Sequence, residues 1–98
     1  MATIRKATIK QSYGEKRQWD FDFNNDLSTG VTVSSATATH TPPSGSAVTP
    51  TVGTIASGIV PVRLDTITQV IGTHELRCLA TLSDGEKSEI ILEITVIA

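Results

Sequence analysis

The segment Trp19-Asp20-Phe21-Asp22-Phe23 restricts the fold of this chain more than any other stretch. Three rings alternate there with two carboxylates. Successive side chains of a β-strand point to opposite faces, so a strand sets all three rings on one side and both aspartates on the other. A helix would scatter the same residues around its circumference. The remaining aromatic, Tyr13, shares their odd parity, so all four aromatic residues fall within residues 13–23 on one side of an extended chain. The spacing predicts a half-buried strand near 16–23 whose rings anchor the core of a small β-domain.

Turn signals recur at short intervals after it. Asn24-Asn25-Asp26, Thr29-Gly30, Pro42-Pro43-Ser44-Gly45, Pro50 to Gly53, Ser57-Gly58, Ile71-Gly72 and Asp84-Gly85 each interrupt a strand-like run. Around Asp84-Gly85 the pattern is sharpest. Leu76, Cys78, Ala80 and Leu82 alternate before it, and Ile90, Leu92, Ile94 and Val96 after it, which predicts a hairpin. Ile91 and Ile97 fall on the opposite face. Strands are expected near 3–10, 16–23, 31–40, 47–55, 58–65, 73–82 and 87–97, with Pro61 at an edge or a bulge because it has no N–H to donate. Seven short strands in 98 residues predict an all-β chain, a single antiparallel β-sandwich domain spanning 1–98.

From Leu27 to Val62, 36 consecutive residues contain no Asp, Glu, Lys or Arg, and 14 of them are Ser or Thr. Val31, Val33, Val48, Val52, Ile55, Ile59, Val60 and Val62 give the stretch the character of buried strands, not of a linker. Ordered, uncharged Ser/Thr surface suits packing against another protein, because little charge has to be desolvated. The charges lie elsewhere and are polarised. Residues 1–17 hold Arg5, Lys6, Lys10, Lys16 and Arg17 against Glu15, a net of +4, whereas Arg63, Arg77 and Lys87 face nine carboxylates in the remainder, a net of −6. The five basic residues are the candidate partner contacts. A net charge of −2 gives no reason to expect a specific nucleic-acid partner.

Chemistry-bearing patterns are weak by comparison. Asp20, Asp22, Asn24 and Asp26 imitate a calcium loop, but Asn25 stands where such a loop turns on glycine and Val31 where it closes on glutamate. No metal site is expected. His40 and His74 lack the surrounding motifs of hydrolases or zinc proteases and are expected to be solvent-exposed or interfacial. Cys78, the single cysteine, can form no internal disulfide and alternates with core residues. The sequence therefore predicts no catalytic residue, no cofactor and no enzyme. No apolar segment follows Met1, and no apolar run nears the roughly 20 residues that span a bilayer, so neither a secretory signal nor membrane insertion is expected.

The run W-D-F-D-F-N-N-D-L (Trp19 to Leu27), the uncharged Ser/Thr-rich middle, G-T-H-E-L-R-C-L-A-T (Gly72 to Thr81), the S-D-G turn and the closing I-L-E-I-T-V strand together carry a resemblance. Over residues 15–97 the chain resembles small immunoglobulin-like structural proteins encoded among the virion genes of tailed bacteriophages. The resemblance implies an immunoglobulin-like sandwich, made in the host cytoplasm and carried on the virion. It implies a capsid decoration or cement role, with the neck or tail as the alternative, and many copies contacting other virion proteins. Two positions depart from ordinary immunoglobulin domains: the third strand has no tryptophan, and Leu76 stands where a corner tyrosine would precede Cys78 by two residues. A bacterial carbohydrate-binding or adhesion module is a different possibility, and it requires exposed aromatic rings.

Overall fold

The structure, a computed structural model, describes the backbone of residues 3–12, 17–64 and 70–97, and the side chains of residues 18–64 and 70–97. Its strands are β1 (Thr3–Ser12), β2 (Arg17–Asp22), β3 (Val33–Thr41), β4 (Thr51–Val52), β5 (Ile59–Leu64), β6 (Gly72–Leu82) and β7 (Lys87–Ile97), with one 3-10 turn at Asn24–Asp26. The chain is all-β. Six of the seven strands end within two residues of the expected positions. The exception is β4, expected over 47–55 and found as two residues. Two backbone donors are missing from that stretch: the Val48 N–H bonds to His40 Nδ1 at 2.9 Å, and Pro50 has none to offer.

The strands form two sheets, ordered β1-β7-β6-β3 and β2-β5-β4. The expectation of a wholly antiparallel arrangement is corrected at one place. β1 runs parallel to β7 over ten residue pairs, from Thr3↔Ser88 to Ser12↔Ile97. Side-chain alternation has the same period in either direction, so the sequence carries no signal for strand polarity. All other pairings are antiparallel. The β6–β7 hairpin turns as expected at Asp84-Gly85, closed by Leu82 N–H to Glu86 O at 2.7 Å and Gly85 N–H to Leu82 O at 2.9 Å.

One apolar cluster draws on both sheets. Phe21, Phe23, Val60, Val62 and Leu64 come from the β2–β5 side, and Leu76, Cys78, Ala80, Leu82, Leu92, Ile94 and Val96 from β6 and β7. Burial pushes the Cys78 thiol up to about 12, which suits an inert core residue and not a nucleophile. The ring stripe holds with one amendment. Phe21 and Phe23 are buried and Asp20 and Asp22 exposed, but Trp19, at the start of the stripe, is only half-buried. Tyr13 lies outside the described residues.

Pro61 is also placed differently from expectation, in the central strand of the smaller sheet, opposite Asp20. Its carbonyl accepts the Gly53 N–H at 2.8 Å, so its own nitrogen faces the same side, where β4 has already ended at Val52. The missing donor therefore costs only the reciprocal bond to Gly53, at the point where the β4 ladder ends.

Candidate interaction surface and a buried histidine pair

The basic residues are distributed over edge strands. Arg5, Lys6 and Lys10 lie on β1, in register with Ile90, Ile91 and Thr95 of β7, and β1 borders the four-stranded sheet. Arg17 opens β2, an edge of the other sheet, opposite Leu64. Lys16 and all five basic side chains lie outside the described residues. The backbone thus brings three of the five onto one strand and puts Arg17 on a different sheet.

The uncharged stretch builds the opposite border. β3 is the far edge of the four-stranded sheet, paired only with β6. Ser35, Thr37, Thr39 and Thr41 are exposed, whereas Ala36 and Ala38 are half-buried and His40 is buried. The outer face of this sheet does carry charge one strand further in. Arg77 of β6 contacts Glu75 at 3.2 Å and Glu89 of β7 at 3.6 Å. The more exposed of these pairs, Arg77 with Glu75, contributes little to stability. The two pairs do mark where charge stops.

The calcium-like segment is occupied by hydrogen bonds of its own. Asp22 Oδ1 accepts from the Asn24 backbone N–H at 2.9 Å and from Asn24 Nδ2 at 2.8 Å. Asn24 Nδ2 also donates to Ser57 O at 2.9 Å, and Asp26 accepts the Ser88 hydroxyl. Gly58 permits this junction. Its φ is +76°, and a Cβ there would lie 2.4 Å from Asn24 Oδ1. The Gly58 carbonyl accepts the Phe23 N–H at 2.9 Å, so the same contact seats Phe23 at the end of β2. With the carboxylates used structurally, melting temperatures in calcium and in EDTA should agree within a few degrees. A larger stabilisation by calcium would contradict the strand-and-turn reading of 19–26.

His40 and His74 overturn the expectation of exposed or interfacial side chains. Both are buried, stacked with ring centroids 5.1 Å apart and planes at 13°. Four groups form one chain of hydrogen bonds, and its ends fix the tautomers. The Val48 N–H donates to His40 Nδ1 at 2.9 Å, so that nitrogen carries no proton. The proton of neutral His40 is then on Nε2, which donates to His74 Nδ1 at 2.8 Å. His74 in turn donates from Nε2 to Val70 O at 2.8 Å. Burial, and secondarily the charge of His74, lower the His40 pKa below its ordinary 6.5. Each ring thus joins a loop backbone to the core. The pair is a structural clasp, and it has no free nitrogen for a substrate or a metal.

At the open edge of β2, a hollow of 180 Å³ is lined among the described residues by Trp19, Asp20, Phe21, Asp22, Ile90 and Leu92. The Trp19 Nε1 is buried there with no hydrogen-bond partner among the described residues. Comparison with protein-family models, curated proteins and solved structures finds no match to the chain.

Proposed function

We propose that this chain is a non-enzymatic accessory protein of a tailed-phage virion, an immunoglobulin-like sandwich that decorates or cements the capsid. The strand order supports the sandwich reading. β2-β5-β4 corresponds to the B-E-D sheet of an immunoglobulin domain and β7-β6-β3 to its G-F-C sheet, with β1 added beside β7. The observation that carries the docking role is the uncharged 27–62 segment, which is folded into strands and turns and presents Ser and Thr along a sheet edge. Close packing against a repeated lattice needs such a surface, and many copies gain from multivalency. The neck or tail is the alternative position, separated from the capsid by copy number.

The basic residues would act at longer range. Arg5, Lys6, Lys10, Lys16 and Arg17 can attract an acidic lattice over about 8–10 Å at moderate salt, whereas the uncharged middle packs independently of salt. In co-sedimentation of the chain with particles of the phage that encodes it, reversing Arg5 and Lys6 to Glu should weaken binding at low salt and leave the melting temperature unchanged. Binding that is unchanged at every salt concentration would remove the basic strand from the account. Absence of binding by the parent chain would remove the virion reading itself.

A carbohydrate-binding module is the second reading, favoured by a hollow that the half-buried Trp19 lines together with Asp20 and Asp22. It predicts that sugars change the fluorescence of Trp19, the only tryptophan.

A further inference from the structure

Natural sheets blunt their edges with charge, proline or very short strands. Three edges of this chain follow that rule. β1 carries Arg5, Lys6 and Lys10, β2 carries Arg17, Asp20 and Asp22, and β4 is two residues long. β3 does not. It runs for nine residues without a charge or a proline, and Pro42-Pro43 follow only after it ends. Its one irregularity is the register shift between Val33 and Ser35, which leaves Ser35–Thr41 as an even ladder against β6. Among the described residues no strand pairs with the other side of that ladder.

We propose that β3 pairs with β3 of a second copy, antiparallel about a two-fold axis at Thr37, joining two four-stranded sheets into one of eight. The occupant is argued from the strand's own pattern. A two-fold axis normal to the sheet sets Thr37 opposite Thr37, Ser35 opposite Thr39 and Ala36 opposite Ala38. Over Ser35–Thr39, exposed hydroxyl residues then meet hydroxyl residues on the outer face, and alanine meets alanine on the inner face. Charge is also compatible. An antiparallel strand paired with itself sets the residue on the axis against its own copy, where a charge would repel, and this strand carries no Asp, Glu, Lys or Arg, while Glu75 and Arg77 stand one strand back on β6. A two-fold partner on every copy would also multiply contacts to a lattice, although the pairing does not depend on the virion reading.

The test is sedimentation of the purified chain over a concentration series from about 1 µM to about 1 mM, the range in which small interfaces associate. The parent chain should pass from monomer to dimer. Thr37 is exposed, so Thr37→Lys should keep the parent melting temperature while weakening dimerisation by about tenfold or more, because two ammonium groups meet at the axis. Thr37→Asp should do the same. Mixing the two variants should restore a heterodimer, a rescue that a fold defect could not produce. A parent chain that stays monomeric at the highest concentration would overturn the proposal, as would a dimer indifferent to both substitutions. A monomeric chain whose particle binding is lost on Thr37→Lys would assign the edge to a strand of another protein instead, and would leave the virion reading standing.

Discussion

Phe23→Ala should lower the unfolding free energy by about 3–5 kcal/mol, the usual cost of emptying a buried aromatic site. Phe23 is 0% exposed in a core shared by both sheets. Its backbone is fixed as well, through the Gly58 carbonyl, so the surrounding structure has little freedom to collapse into the space. A domain of this size holds only about 5–15 kcal/mol in total. Each kcal/mol is worth about 4–8 °C of melting temperature, so the variant should melt some tens of degrees lower or fail to fold. Trp19→Ala should cost less, because that side chain is only partly buried. Denaturant melts of the two variants decide the matter. An equal or larger loss at Trp19 would mean that the stripe is centred on the wrong ring. If Trp19→Ala melts like the parent while sugar binding disappears, the carbohydrate reading takes precedence.

The histidine clasp should reveal itself through non-additivity. His74→Leu leaves His40 Nε2–H and Val70 O without partners, and His40→Leu does the same to Val48 N–H and His74 Nδ1. Each orphaned buried group costs about 1–3 kcal/mol. The double replacement orphans two groups where the two single changes together orphan four. It should therefore cost less than the sum of the singles, by roughly 1–3 kcal/mol or more. Strict additivity would show that the two rings do not share a proton chain. The same geometry sets a pH dependence. The folded chain holds His40 below its ordinary 6.5, so the unfolded chain binds the proton more readily. The contribution is whole above about pH 6.5 and is lost as pH falls from there toward the folded value. Melting temperatures should decline between about pH 7 and pH 5, ahead of carboxylate titration, and the decline should flatten in His40→Leu. A parent chain equally stable across that interval would contradict the assignment.

What the sequence disclosed and what it hid have physical causes. Parity within a strand is a local property, so Phe21 against Asp20 and Leu76 against Arg77 could be sorted into core and surface by counting. The Asp84-Gly85 turn fixed the register of its flanking strands for the same reason. Partnership across the fold leaves no such trace. His40 and His74 are 34 residues apart, and nothing in either neighbourhood signals that one ring faces the other. The direction of β1 was equally silent. Pro61 misled because tolerance depends on where a neighbouring strand stops, which β4 decides by ending at Val52. The partial exposure of Trp19 reflects its place at an open sheet edge, beyond what alternation encodes. The uncharged middle was legible as a surface type, but its appearance as a long edge with no paired strand among the described residues needed the sheet order. Arg5, Lys6, Lys10, Lys16 and Arg17 remain a charge pattern whose side chains the structure does not describe.

Quantitative mass spectrometry of purified virions of the phage proposed to encode this chain, reporting its copies per particle, tests the central claim most directly. The account predicts copies in the hundreds, commensurate with a capsid lattice. Six or twelve copies would move the chain to the neck or tail, and a particle containing none would contradict the virion reading altogether.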